Sequence, residues 1–271
     1  MDGESRRLVA AVEAAEGLMV VLTGAGISLA SGIPTFRGSD RGAIWAHDIT
    51  ELATLRYFTS DPVGAWRWYR HRFMRVLAAR PNPAHQALAV LERWHAMRRR
   101  NFLLVTQNID TLHERAGSTR VVKVHGSADR CRCADPACRL GTVESIALND
   151  VDFTEFDRDP RMDAIPSCPA CGTPVRPHVL WFDELYLSHA DYQWHVVERA
   201  AARIRLLICA GTSLAVGVTS FLQSAADEAG APVFLVDPGE RPAQALRSIV
   251  HVRARAEELL PQVCGLLTGS R

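Results

Sequence analysis

Leu18-Met19-Val20-Val21-Leu22-Thr23-Gly24-Ala25-Gly26 is the stretch on which the fold turns. Five apolar residues run without interruption into two glycines one residue apart. A run this short is a strand buried on both faces, and the glycines that end it mark a tight turn. Strands with no polar face occur in parallel sheets that carry helices on both sides.

The same rhythm continues outward from that stretch. Phe102 to Val105 predicts a second buried strand, ending in Thr106-Gln107-Asn108. Val121 to Val124 predicts a third. Arg205 to Ala210 predicts a fourth, ending in Gly211-Thr212-Ser213, and Pro232 to Val236 a fifth, ending in Asp237. Between them lie helical patterns. Arg6 to Glu16 is amphipathic, and Pro62 to Leu77 sets Trp66, Tyr69 and Phe73 along one side. Ala84 to Met97 is opened by Asn82 as N-cap and Pro83 at the first helical position. Strands alternating with helices give an α/β fold, a Rossmann-like doubly wound parallel sheet. In such sheets a ligand sits beyond the carboxyl ends of the strands. Gly24-Ala25-Gly26, Gln107-Asn108, Gly211-Thr212-Ser213 and Asp237 are therefore expected to converge on one crevice.

Composition narrows the class. Of 271 residues 48% are hydrophobic and 23% charged, the profile of a globular protein. The formal net charge of +1 gives no global field toward nucleic acid or a membrane surface. No apolar run is long enough to span a bilayer, and Gly17 to Leu22 is too short and too late for a signal peptide. The expected location is cytoplasmic, with neither nucleic acid nor membrane as partner. Lysine is nearly absent: Lys123 is the single one. Five of seven cysteines lie between Cys131 and Cys171, and clustering of that kind argues for metal rather than disulfides.

A glycine turn after a strand suits a nucleotide, because small residues let backbone N–H groups approach a pyrophosphate. Leu29 stands where a G-x-G-x-x-G motif has its third glycine, which argues against a hydride-transferring dehydrogenase. The longer string Gly24-Ala25-Gly26-Ile27-Ser28-Leu29-Ala30-Ser31-Gly32-Ile33-Pro34-Thr35-Phe36-Arg37-Gly38 closely resembles the NAD-binding signature of the sirtuin (Sir2) family. Thr106-Gln107-Asn108-Ile109-Asp110, His125-Gly126 and Gly211-Thr212-Ser213 resemble that family's later motifs, in family order, and the resemblance spans about Val9 to Pro261.

The resemblance implies an NAD-dependent lysine deacylase, which passes the acyl group to ADP-ribose and releases nicotinamide. NAD would be a consumed co-substrate. Its binding would involve Gly24, Ala25, Gly26, Ser28, Phe36, Arg37, Gln107, Asn108, Asp110, Gly211, Thr212, Ser213 and Asp237. Asp110 would hold the carboxamide, and Asn108 the ribose and an ordered water. Phe36 would cover the anomeric carbon after nicotinamide leaves, and His125 would be the general base toward a ribose hydroxyl, a role suited to a side chain that titrates near neutrality. Apart from the resemblance, the Gly and Asp content of the loop from Gly38 to Ile49 suits a mobile lid. The division implied is a Rossmann-like NAD-binding domain (1–36, 101–125, 179–271), a helical insertion with cofactor loop and acyl pocket (37–100) and a zinc-binding module (126–178).

Cys168-Pro169-Ala170-Cys171 has the spacing of a zinc knuckle, and Cys131, Cys133 and Cys138 offer three thiols for the two remaining places. The family places its first ligand at the distance of Cys133. That implies Cys133, Cys138, Cys168 and Cys171 around one structural zinc, with Cys131 spare.

Tyr69-x-x-Arg72 resembles the acyl pocket of the class that prefers succinyl, malonyl or glutaryl lysine. On a helix these residues share a face, and an arginine fork matches a carboxylate. His178-Val179-Leu180-Trp181-Phe182-Asp183-Glu184 resembles the clamp that takes an acyl-lysine peptide as an added strand, with Val179, Trp181 and Phe182 touching substrate. The partner is an acyl-lysine protein or peptide, or an acylated small molecule. Asp183, Gly217 and Asp237 depart from the family pattern, which usually has Gly, Pro and Asn there. The alternatives are a deacetylase without acidic preference, an NAD hydrolase or ADP-ribosyltransferase on the same scaffold, and a non-catalytic NAD sensor or zinc-bearing interaction module.

Overall fold

The structure, a computed structural model, describes residues 2–34, 49–215, 217–243 and 245–269. Phe36 and Arg37, and nearly all of the expected lid, lie outside the described residues.

Among the described residues nine strands are formed: β1 Leu18–Thr23, β2 Asn101–Thr106, β3 Val121–Lys123, β4 Gly126–Cys133, β5 Ile146–Ala147, β6 Val175–Val179, β7 Ile204–Ala210, β8 Val233–Val236 and β9 Val250–Val252. Six of them make one sheet in the order β3-β2-β1-β7-β8-β9, and every pair in it is parallel. This is the doubly wound order, whose direction reverses between β1 and β7, the switch point at which sheets of this kind hold a ligand.

β1 lies at the centre, and its side chains alternate between two cores, as the period of two requires. Met19 and Val21 face helices Gly3–Ala14, Pro83–Met97 and Ala256–Thr268, packing with Leu8, Val12, Leu88, Leu91 and Leu260. Val20 and Leu22 face helices Trp194–Ala201 and Gly217–Glu228, packing with Val197, Val218 and Leu222. All four β1 residues are fully buried, which is why the strand reads as a continuous apolar run.

Some boundaries differ from the sequence reading. The first helix starts at Gly3 rather than Arg6, because the Asp2 carboxylate accepts from Ser5 N at 2.8 Å and caps it there. The sixth strand, β9, was not expected; three residues are too few to show a period, and only pairing with β8 makes them a strand.

The smaller antiparallel sheet, β5-β4-β6, packs against helices Leu55–Ser60 and Pro62–Ala78. Phe58, Trp66, Tyr69 and Phe73 share one core with Cys131, Phe153, Val175 and Trp181, and Trp66 Nε1 donates to Val175 O at 2.8 Å. The first part of the helical insertion and the cysteine-bearing segment thus form one lobe. Helix Pro83–Met97, from the same stretch of chain, packs on the parallel sheet instead.

Candidate active site at the carboxyl ends of the parallel sheet

The two turns at the switch point are locked together. Gly24 N donates to Ala210 O at 3.2 Å, Gly26 N to Gly211 O at 2.8 Å, and Gly211 N to Val236 O at 3.1 Å. A Cβ on Gly26 would stand 2.8 Å from Gly211 O, and one on Gly24 would stand 2.8 Å from Thr212 Cβ. The N–H groups of Gly24 and Gly26 are therefore engaged within the protein. These glycines act by letting the ends of β1 and β7 approach. Ala25 is half-buried and Ser28 fully buried in the short 3-10 helix Ala25–Ser31. Thr212 is buried and Ser213 exposed. Asp237 lies beyond β8, half-buried, and its Oδ1 accepts from Gly239 N at 2.8 Å.

A buried polar network fills the floor. Asn108 Nδ2 donates to Gly24 O and to Ser28 Oγ, each at 3.1 Å, and Ser28 Oγ donates to Asp110 Oδ2 at 2.8 Å. Asp110 Oδ1 accepts from Leu112 N at 3.0 Å. Gln107 Nε2 donates to Thr212 Oγ1 at 3.1 Å, joining the end of β2 to that of β7. Two buried histidines that the sequence reading did not single out belong here. His85 Nε2 lies 3.4 Å from Ser28 Oγ, and His113 Nε2 lies 3.0 Å from Thr23 Oγ1. His85 Nδ1 accepts from Asn82 N at 3.3 Å, so Nε2 carries the proton toward Ser28. Burial lowers His85 to about 4, against the pull of Asp110, and lowers His113 well below the usual imidazole range. Each sits alone in a helical pattern, and nothing local marks it apart from a packed core residue.

His125 follows β3 at the crevice. Its Nδ1 lies 2.8 Å from Gln107 O. A carbonyl only accepts, so Nδ1 bears the proton and Nε2 keeps its lone pair. Burial pushes His125 down to about 4, partly offset by that hydrogen bond, so the ring is a neutral base at physiological pH. Tyr186, also unforeseen, stacks on the imidazole at 5.9 Å and 14°.

The clamp segment lies directly alongside. Val179, buried, pairs with Gly126, and Leu180 N donates to His125 O at 3.0 Å. Phe182 is exposed, whereas Trp181 is buried and donates from Nε1 to Tyr69 Oη at 2.7 Å. Tyr69 is itself buried, which pushes its hydroxyl pKa up. Arg72 stacks on Trp68 at 3.6 Å and donates from Nη1 to Trp68 O at 3.0 Å. Burial lowers Arg72 to about 10, which leaves it charged at neutral pH. It lines a cavity with Ile33, Pro34, His71, Arg75 and Val76; Tyr69 is not among the lining residues. Asp183 does not face an open clamp. Its carboxylate accepts from Leu55 N at 2.7 Å and Arg56 N at 3.1 Å, capping helix Leu55–Ser60 from across the lobe.

Cys133, Cys138, Cys168 and Cys171 bring their sulfur atoms within 4.8 Å of one another. Four thiols so placed are the donor set of a closed, structural zinc site. Cys131 lies outside the group, fully buried, with burial pushing its thiol up to about 12. His178, His189 and Asp191 also come close together. There, burial, His189 and three arginines (Arg132, Arg130 and Arg176) lower His178, so the surroundings oppose a dication.

Comparison with known proteins agrees with this geometry. The Sir2 family profile matches residues 24–218. A Pseudomonas aeruginosa protein named NAD-dependent protein deacylase 1 is 42% identical over 221 residues, covering 81% of this chain and 82% of that one. A Thermus thermophilus NAD-dependent protein deacylase is 40% identical over 238 residues, 88% and 84% of the two chains. The crystal structure of a Sir2 homologue–NAD complex superposes with a TM-score of 0.80 at 33% identity, covering 100% of this chain and 95% of that one. The chain belongs to the Sir2 family.

Proposed function

We propose that this chain is an NAD-dependent lysine deacylase that prefers acidic acyl groups. The observation that carries the deacylase reading is the convergence at one crevice. The Gln107–Asp110 loop and the Gly211–Ser213 turn meet beside a histidine whose Nε2 lone pair is kept available by Nδ1 donating to Gln107 O. NAD dependence is what the similar deacylases' names state, and NAD would supply the electrophilic anomeric carbon and the nicotinamide leaving group. The residues fit that co-substrate. Asp110 would accept from a carboxamide, Asn108 and Gln107 would orient the ribose, and Gly24 and Gly26 let the two turns that edge the site close on each other. His125 Nε2 would take the ribose hydroxyl proton, aided by exclusion of water and preset hydrogen bonds.

The acidic preference rests on Arg72. It is a charged guanidinium, half-buried on the Trp68 ring, lining a cavity with an apolar floor and with His71 and Arg75 beside it. A terminal carboxylate on the acyl chain would find a fork of donors there, and an acetyl group would not. The four clustered thiols would hold one zinc with no open position, which makes it structural.

The test compares matched acetyl- and succinyl-lysine peptides with NAD, with deacylated peptide followed by mass spectrometry. The expected result is faster removal of succinyl. Arg72→Met is expected to cut succinyl turnover about tenfold or more while acetyl turnover changes little. Faster removal of acetyl would return Arg72 to a helix surface and leave a deacetylase.

A further inference from the structure

Lys123 is the chain's single lysine; the other 30 of its 31 lysine and arginine residues are arginine. It ends β3, two residues before His125, and its side chain is largely buried. From one Nζ atom it donates to Asp110 O at 2.6 Å and to Ser127 Oγ at 2.8 Å, and pairs with Glu114 Oε1 at 3.3 Å. Three acceptors around one point suit an ammonium. A planar guanidinium spreads its donors along a fork and cannot converge on all three.

The loop that Lys123 grips runs from Gln107 to Asp110 and is tied to the His125 turn at three successive places. His125 Nδ1 donates to Gln107 O at 2.8 Å, Ala128 N donates to Ile109 O at 2.8 Å, and Lys123 Nζ takes Asp110 O. The first two ties are made by residues that the motif or the strand requires anyway. The third depends on this one side chain. We infer that Lys123 is a positioning residue for the nicotinamide-binding part of the site, holding Asp110 at a fixed distance from the His125 turn. This rests on the role proposed above for Asp110. It acts through the Asp110 backbone and touches no substrate.

The test measures inhibition of deacylation by nicotinamide and by ADP-ribose, in the wild type, Lys123→Met and Lys123→Arg. Nicotinamide needs Asp110 in place; ADP-ribose lacks the carboxamide. Lys123→Met is expected to raise the nicotinamide inhibition constant and the KM for NAD about fivefold to tenfold, the effect of losing a charge-assisted bond at a binding residue. The ADP-ribose constant and the KM for peptide stay near wild type. Lys123→Arg recovers part of the loss. Equal weakening toward both inhibitors would show a merely structural role and overturn the inference, as would no change toward either. Should Lys123→Met not fold, Ser127→Ala removes one of the three bonds and is expected to shift the same two constants in the same direction, by less; an unchanged nicotinamide constant there would count against the inference. A wild-type enzyme indifferent to nicotinamide would strike out the role of Asp110 itself, and the inference with it. That failure shows in the wild type, whereas failure of Lys123 alone shows only in the variants.

Discussion

Gly211 has φ +61°, and a Cβ there would stand 2.2 Å from Ile27 N. Neither the left-handed backbone nor the space permits a side chain. Gly211→Ala is expected to cost about 1–3 kcal/mol of stability and to raise the KM for NAD, read by thermal unfolding and steady-state kinetics. An unchanged KM would show that the β1 and β7 turns do not have to touch for the co-substrate to bind. At this scale the motifs were legible because each ends a buried strand: Thr106-Gln107-Asn108 and Gly211-Thr212-Ser213 announce themselves by position. His85, His113 and Tyr186 did not, since their partners are Ser28, Thr23 and His125, tens of residues away in the chain.

The helix Leu55–Ser60 shows what one residue does for an element. Its own Thr54 Oγ1 accepts from Tyr57 N at 3.0 Å, and Asp183 accepts the first two N–H groups from another part of the chain. Asp183 thus fastens helix Leu55–Ser60 to the segment that follows β6, along with Phe182 N donating to Ala53 O at 3.1 Å. Asp183→Ala is expected to lower stability by about 1 kcal/mol, as for loss of a cap, and Asp183→Asn, which keeps an acceptor, to lose less. Denaturant midpoints for the two variants decide it; no loss in either would mean the contact is unimportant. The cysteine group makes a second claim at this scale. One tightly bound zinc per chain is expected, and its removal by a chelator should loosen the small lobe, seen as altered fluorescence of Trp66 and Trp181 in the core it shares with Cys133 and Cys168. Protein that carries no zinc yet keeps an unaltered spectrum would contradict this. The sequence could show that Cys131–Cys171 was a module. It could not show that this module and the helices around Trp66 share a core, because periodicity reports which face is buried and not what covers it.

Six histidines, His85, His95, His113, His125, His178 and His189, are lowered from 6.5, chiefly by burial. Above pH 6.5 both folded and unfolded chains hold them neutral, and they contribute no pH dependence. As pH falls below 6.5 the unfolded chain takes up protons that the folded chain refuses until about pH 4, so stability is lost across that window. Each such group adds a slope of up to about 1.4 kcal/mol per pH unit. His95 is fully buried beside Trp94, far from the cysteines in sequence, and Arg100 and Arg98 lower it further, to about 4. His95→Leu should therefore flatten the curve by about one proton, which separates this effect from acid release of zinc. A melting temperature that is flat from pH 7 to 5 would contradict the burial of these rings.

The whole molecule places a doubly wound sheet and a smaller lobe so that the clamp strand and the sheet's carboxyl ends meet at His125. The doubly wound sheet was readable from its apolar runs, while the lobe's packing and β9 arise from contacts distant in sequence. Among the described residues no helix is long and apolar enough to cross a membrane. The central claim is that this arrangement consumes NAD to remove an acyl group from lysine. The most direct measurement follows nicotinamide and deacylated peptide together, from NAD and a succinyl-lysine peptide, in the wild type and in His125→Ala. The two products are expected in equal amounts, dependent on the peptide and lost in His125→Ala. Nicotinamide released at the same rate without any peptide would contradict it and make the chain an NAD hydrolase.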